Sequence, residues 1–403
     1  MTAVFLSPVY LLINGYLVWR LFCWMSAVNT GMDKIWIRFL VMAVYLFFAS
    51  ALLVGFLLPP GELQRFFMHI GNYWLGVLAY AVMVILAAEL LGLILKRCGW
   101  LNQEKIRSSK TFAIAGCACI LIVAAVSIWG VINARMIRTT DYEITVQKKT
   151  ETFHNMKVVL AADLHMGYNI GCRQMEQMVE KINRENPDLV VIAGDIFDNE
   201  YEALKDPEKL ISILQGIKSR YGIYACYGNH DIQEKILAGF TFKGEDKKQS
   251  DIRMDEFLEK AGITLLQDEA VLIENEIYLY GRPDASRPGR GIEERKSPKE
   301  ITDDMDLSRP VFVIDHQPRE LQKLADAGVD LDLCGHTHDG QIFPGNILTS
   351  IMWENSCGYL KKDDMHNIVT SGVGVFGPNM RVGTKAEICS ITVHFEGRSE
   401  KES

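Results

Sequence analysis

The 403-residue sequence has nine cysteines but no CxxC pair and no zinc-finger spacing, which excludes a zinc ribbon and a thioredoxin-type redox motif. Four of them, Cys23, Cys98, Cys117 and Cys119, lie in or beside apolar segments. The other five are Cys172, Cys226, Cys334, Cys357 and Cys389, an odd number that gives no disulfide framework and is expected to consist of reduced core residues. Acidic residues are scarce at one end: residues 1–138 hold 4 Asp+Glu against 11 Lys+Arg, whereas the remainder holds 46 acidic against 31 basic. An acidic, water-soluble majority repels polyanions, so no nucleic-acid partner is expected. The chain also lacks the basic start and small-residue cleavage pattern of a secretory signal. Its length exceeds one ordinary domain and predicts two units.

Four apolar stretches, roughly 3–24, 35–58, 72–95 and 111–133, lack the polar face of a soluble core helix. Each is long enough to cross a hydrocarbon core of ~30 Å. The predicted membrane domain is 1–138, followed by a linker at 139–154, an α/β domain at 155–398 and a tail at 399–403. Basic residues gather in the first loop (Arg20, Lys34, Arg38) and the third (Lys96, Arg97, Lys105, Arg107, Lys110), while the second has Arg65 alone. By the positive-inside bias the first and third loops are cytoplasmic, and four spans return the chain to an extracytoplasmic side. Glu89, inside the third span, is read as paired with a basic neighbour such as Arg20 or Lys96 rather than as a transport residue.

From about residue 156 short, nearly continuous apolar runs alternate with helical stretches, the pattern of strands covered on both faces. Five runs end in polar residues: 157–162 in Asp163-Leu164-His165, 188–193 in Gly194-Asp195-Ile196-Phe197-Asp198, 222–227 in Gly228-Asn229-His230-Asp231, 311–314 in Asp315-His316-Gln317, and 331–334 in Gly335-His336-Thr337-His338. Helical stretches at 172–186 and from Pro207 supply crossovers. Residues 263–283 read as hairpin strands, and 367–375 and 386–395 as later strands of a second sheet. Ligands collect beyond the carboxyl ends of strands in layered α/β folds. Five of the nine histidines fall in these motifs, and the mixture of carboxylate, amide and imidazole suits borderline divalent metals.

The ordered set DLH, GDIFD, GNHD, a lone His and GHTH resembles the calcineurin-like metallophosphoesterase superfamily over roughly residues 155–395. Its bacterial membrane-associated phosphohydrolase branch is similar in Gly335–Gln341, His316–Pro318, Gly377–Gly383 and Glu387-Ile388. The resemblance implies a four-layer α-β-β-α sandwich of two mixed sheets. It also implies a first metal held by Asp163, His165 and His338, with Asp195 bridging to a second held by Asn229, His316 and His336. It implies that His230 faces the substrate phosphate, and that Asp198 and Asp231 orient imidazoles or the general acid.

Two cations ~3.5–4 Å apart can share a hydroxide that attacks phosphorus in line, with His230 stabilising equatorial charge or protonating the leaving alkoxide. The expected cofactors are two divalent ions, Mn²⁺ first, with Fe²⁺ or Zn²⁺ as contenders. Arg381 is a candidate phosphate contact, the alternative being a surface arginine. His366 and His394 are assigned to structure or surface, and Cys334 to packing. Segments 239–253 and 284–309, the latter flanked by Arg282 and carrying Arg287, Arg290, Arg295 and Lys296, are candidate lids or plain surface excursions. The membrane context points to a phosphorylated lipid or cell-envelope substrate. The alternatives are a nucleotide or cyclic-nucleotide phosphodiesterase, and a non-catalytic membrane receptor.

Overall fold

The computed structural model describes residues 2–98, 108–233, 236–237, 240–241, 250–288, 292 and 294–396. Lys105, Arg107, Arg290, most of segment 239–253 and the 399–403 tail lie outside the described residues. The chain divides into two units: Met1–Ile132 with Ile236–Lys243 and Gly377–Met380, and Asn133–Lys235 with Gly244–Phe376 and Arg381–Ser403.

The first unit contains four long helices, Thr2–Val28, Ile35–Leu57, Glu62–Arg97 and most of Ser109–Ala134. Their most apolar stretches have mean hydropathies of 1.4 to 2.5, and few of their large apolar side chains are buried. That inverts the pattern of a soluble bundle and suits a lipid solvent. The third helix begins ten residues earlier than its apolar stretch because Glu62 to Gly71 continue it with a mixed sequence. Glu89 accepts a hydrogen bond from Tyr16 Oη at 2.5 Å and pairs with Arg20 at 3.2 Å, the partner expected from charge spacing.

The second unit is built on strands β1 (Ile137–Val146), β2 (Asn155–Ala161), β3 (Leu189–Ala193), β4 (Ile223–Cys226), β7 (Thr264–Leu265), β8 (Glu269–Ile273), β9 (Ile277–Gly281), β10 (Val311–Ile314), β11 (Leu331–Cys334), β12 (Gly358–Lys362), β13 (Met365–Val369) and β14 (Ala386–Phe395). The remaining pair, β5 (Ile236–Leu237) and β6 (Phe240–Thr241), is a small separate hairpin. One sheet has the order β1-β14-β2-β3-β4-β7 and the other β12-β13-β11-β10-β9-β8. Both are mixed: β2, β3, β4 and β7 run parallel, as do β13, β11, β10 and β9, while β14 opposes β2.

Alternation along each strand sends one set of side chains between the sheets and the other beneath helices. Val158, Leu160, Val191, Phe312, Ile314, Leu333 and Ile391 fill the space between the sheets. Val159, Ala161, Val190 and Ile192 pack under the helices Cys172–Arg184, Pro207–Leu214 and Ile252–Lys260. Val311 and Val313 pack on the far side with Leu321, Leu324 and Ile301. The result is the four-layer α-β-β-α sandwich of two mixed sheets.

Two local readings change. Residues 137–146, placed at the end of the membrane segment and in a linker, form an edge strand paired in parallel with β14 over ten residues. Its sequence, Ile-Arg-Thr-Thr-Asp-Tyr-Glu-Ile-Thr-Val, has the β-branched content of a strand rather than a linker, with Ile137 buried on one face and Ile144 and Val146 on the other. Residues 386–395 belong to the first sheet, between β1 and β2, not to the second. Strand content was legible there, but sheet membership depends on pairing that no local pattern carries.

Candidate metal centre

Three of the five polar motifs leave their strands through left-handed residues. Asp163, His165, Asp195, His336 and His338 have φ values of 52, 45, 50, 74 and 52°, a left-handed region that L residues other than Gly, Asn and Asp enter rarely. The three histidines among them, on two sheets, concentrate strain at one rim. The turns are held by backbone bonds between motifs: Asp163 N–H to Gly194 O, and His165 N–H to Asp195 O, each at 2.9 Å. Glycines let the carboxylates seat closely. A Cβ on Gly228 would lie 2.2 Å from Asp195 Oδ1, and one on Gly335 2.7 Å from Asp163 Oδ2.

Seven side chains from both sheets meet there. His165 Nε2 is 3.0 Å from His338 Nε2, with Asp163 Oδ1 3.7 Å from the latter. His316 Nε2 is 3.2 Å from Asn229 Oδ1, from His336 Nδ1 and from Asp195 Oδ2. Asp195 Oδ2 is also 3.6 Å from His165 Nε2, so this one carboxylate faces both groups. Asp163, His165 and His338 form one cluster of metal-competent atoms, and Asp195, His316 and His336 another.

The donor chemistry tests whether a cation fits. His316 Nδ1 is 2.9 Å from Ala193 O. A carbonyl can only accept, so Nδ1 carries the proton and the neutral ring presents a lone pair at Nε2. That lone pair faces an amide oxygen, a carboxylate oxygen and a second imidazole nitrogen in a buried site. Such convergence is repulsive unless a proton or a metal cation lies among the atoms, and these O and N donors fit a divalent metal.

Proton affinities respond to the same crowding. Burial pushes the Asp163 carboxyl up to about 6, Asp195 adding to this and His316 opposing it. The Asp195 carboxyl is held well below the usual range: burial raises it, but His316, His230 and His165 outweigh that. His316 is driven well above the ordinary imidazole value, since Asp195 and Asp163 overcome its burial.

His230 stands beside this cluster, its N–H donating to Asp195 Oδ1 at 2.8 Å. Its Nδ1 bonds Asn199 Oδ1, whose amide is fixed by Nδ2 donating to Ile232 O at 3.2 Å. Nδ1 is therefore the donor, and Nε2 is the nitrogen left for other chemistry. Burial lowers this imidazole to about 4. Its ring packs 4.3 Å from that of Phe376.

Two assignments are revised by their surroundings. Asp231 accepts from Phe197 N–H at 2.8 Å and Gly228 N–H at 2.7 Å, so it ties two motif loops together rather than orienting an imidazole. Asp198 Oδ1, by contrast, lies 3.7 Å from His165 Nδ1 and faces the imidazole as expected. Arg381 is fully buried, with its guanidinium turned to backbone carbonyls. Its Nη2 donates to Ser371 O at 2.6 Å, Gly374 O at 2.7 Å and Gly372 O at 3.2 Å, and lies 3.3 Å from His338 Nδ1. It is a strut behind the histidine, and burial draws it down to about 10. A spacing pattern shows that an arginine is present but not which way it points.

Sequence reasoning passed over Asn199, Phe376, Trp353 and Arg319. Trp353 meets the His336 ring edge-on at 5.1 Å, and the Arg319 guanidinium lies 5.0 Å over Trp353. Asn199 and Arg319, each one residue beyond a motif, had a signal in their place; Trp353 comes from a position with none. Arg282 and Arg295 are not free lid cations: both pair with Asp315, at 2.7 and 2.9 Å. His366 bonds Tyr359 Oη and Thr145 O, His394 pairs with Glu143, and Cys334 is buried, in keeping with structural and surface roles.

Residues 156–340 match the profile of the calcineurin-like phosphoesterases. A "transmembrane protein with metallophosphoesterase domain" of Danio rerio is 28% identical over 348 residues, 80% of this chain and 74% of that protein. An uncharacterized metallophosphoesterase of Aquifex aeolicus is 27% identical over 263 residues, 65% of this chain and 93% of that one. Another, from Campylobacter jejuni, is 29% identical over 255 residues, 62% of this chain and 61% of that one. Residues 156–340 therefore form a calcineurin-like phosphoesterase domain, and the membrane protein that carries it is a metallophosphoesterase, a hydrolase of phosphoric esters.

Proposed function

We propose that the chain hydrolyses a phosphomonoester, phosphodiester or pyrophosphate of a lipid or cell-envelope molecule at a two-metal centre. The observation that carries this reading is the convergence of His316 Nε2, Asn229 Oδ1, His336 Nδ1 and Asp195 Oδ2 within 3.2 Å of the first, with the same Asp195 oxygen facing His165. Asp163, His165 and His338 would hold one cation, Asn229, His316 and His336 the other, and Asp195 both. When bound, such a pair supplies water ionised near neutrality and neutralises phosphoryl oxygens; Mn²⁺ is the favoured ion, with Fe²⁺ or Zn²⁺ as alternatives.

The chain's own contribution centres on His230. Asn199 holds a proton on Nδ1 and turns Nε2 toward the reaction space. An anionic phosphoryl group beside the ring favours the imidazolium, which can stabilise equatorial charge and return its Nε2 proton to the leaving oxygen. Phe376 restricts the ring's rotation. The loop charges support an extracytoplasmic position for this unit, where membrane-borne and envelope esters meet it.

The test is turnover of bis-p-nitrophenyl phosphate by the purified full-length chain in detergent with each divalent metal. Turnover that disappears with chelator and returns with Mn²⁺ is expected. No turnover with any divalent metal would favour the receptor reading instead. Release of phosphate or nucleotide from fractionated lipid extracts then separates a lipid ester from a nucleotide substrate.

A further inference from the structure

A short helix at Gly345–Met352 begins seven residues after His338 and ends immediately before Trp353. It contains no charged residue. Phe343, Ile347, Leu348, Ile351 and Met352 are 49, 49, 60, 77 and 76% exposed, whereas Asn346 and Thr349 are partly covered. The exposed positions recur at i, i+4, i+5, i+8 and i+9, one face of a helix and its lead-in. Elsewhere among the described residues of this unit the exposed large apolar side chains, such as Ile252, Leu272, Leu307 and Tyr359, stand singly on separate elements. Scattered apolar residues are ordinary on a soluble surface; five on one ridge mark an interaction surface.

The ridge is fixed to the centre at both ends. At its start, Phe343 N–H bonds Val382 O at 2.8 Å and Gly345 N–H bonds Ile342 O at 2.7 Å. Gly340, just past the last histidine motif, sits so close to Gly345 that a Cβ would lie 2.1 Å from the Gly345 carbonyl carbon. At its end, Trp353 lies edge-on to His336.

We infer that this ridge inserts into the bilayer interface, and that the phosphoester acted on carries an acyl or alkyl chain which stays in the membrane while its phosphate reaches the centre beside Trp353. The occupant follows from the chain itself. Four helices are long and apolar enough to cross a membrane, and only Arg135 and Met136 separate the last from β1, so the chain itself tethers this unit to a bilayer. An uncharged apolar face ending in tryptophan has the composition of an interfacial helix. The substrate class rests on the phosphohydrolase reading above; the docking does not.

Both parts are tested with the full-length chain in phosphatidylcholine vesicles. With a photoreactive acyl chain in the vesicle, adducts mapped by mass spectrometry are expected on 347–352 as well as in the four spans. Adducts confined to the spans, or cross-links joining this helix to a second copy, overturn the docking. The double variant Ile351→Glu/Met352→Glu alters only exposed positions and should keep the thermal midpoint of the wild type. It should lose roughly tenfold or more of its turnover of vesicle-embedded hexadecyl p-nitrophenyl phosphate, with bis-p-nitrophenyl phosphate unaffected. An equal loss on both esters, or none on either, overturns the substrate assignment. Should the wild type hydrolyse neither ester, the hydrolase reading falls, and the adducts alone decide the docking.

Discussion

Replacing Arg381 with methionine separates a strut from a substrate contact. The side chain keeps comparable length and apolar bulk but loses every donor. Of the carbonyls that Arg381 serves, Gly372 O retains the Glu387 N–H and His338 O retains the Gln341 N–H. Ser371 O and Gly374 O lose the guanidinium bonds they accept at 2.6 and 2.7 Å. Leaving a buried acceptor unsatisfied costs about 1–3 kcal/mol, so two cost about 2–6 kcal/mol. At about 2–4 °C per kcal/mol for a domain of this size, the thermal midpoint should fall by roughly 5–20 °C. His338 also loses its backing, so metal affinity should weaken. The assay is thermal melting of the full-length chain in detergent, alongside kcat and KM for a soluble ester. An unchanged midpoint with a KM raised about tenfold would refute the strut and restore Arg381 as a phosphate contact.

His230→Ala should leave metal content unchanged and slow esters with poor leaving groups by about 10²–10⁴, with a smaller effect on p-nitrophenyl esters; full activity on alkyl esters would remove His230 from the reaction. Asn199→Ala frees the His230 ring and should lower kcat by about tenfold without loss of metal, as read by kinetics with metal analysis. Gly228→Ala drives a methyl into Asp195 Oδ1 and should diminish metal binding although no ligand is changed; normal metal content would show that the close seating is dispensable. Asp332 is buried, with its carboxyl pushed up to about 7 by burial and by Asp315. Because the folded value exceeds the ordinary 3.8, its contribution to stability is complete below about pH 4 and is lost as pH rises through 7. Asp332→Asn should therefore flatten the fall in melting temperature between pH 5 and 8, and an unaltered pH profile would contradict the assignment.

Much of the centre could be read from residue order because the motifs are local. An apolar strand ending in Asp-x-His or Gly-Asn-His states both its burial and the rim it reaches. The pairing of the motifs across two sheets was not local, and neither was the place of β14 beside β1. The roles of Asp231 and Arg381 depended on side-chain direction, which spacing leaves open: the same two residues could have faced substrate or carbonyls. Asn199 and Trp353 act through contacts made only after the chain closes. The Gly345–Met352 ridge has no signal for another reason: an apolar run reads alike whether buried or exposed, and only its exposure marks it as a surface.

The most direct test of the account is metal stoichiometry, measured by elemental mass spectrometry on the purified full-length chain reconstituted with Mn²⁺. The wild type should hold two ions per chain, and Asp195→Ala should lose both along with phosphoester turnover. A wild type that turns over substrate with a single ion, or an Asp195→Ala variant that retains both, would contradict the bridged pair.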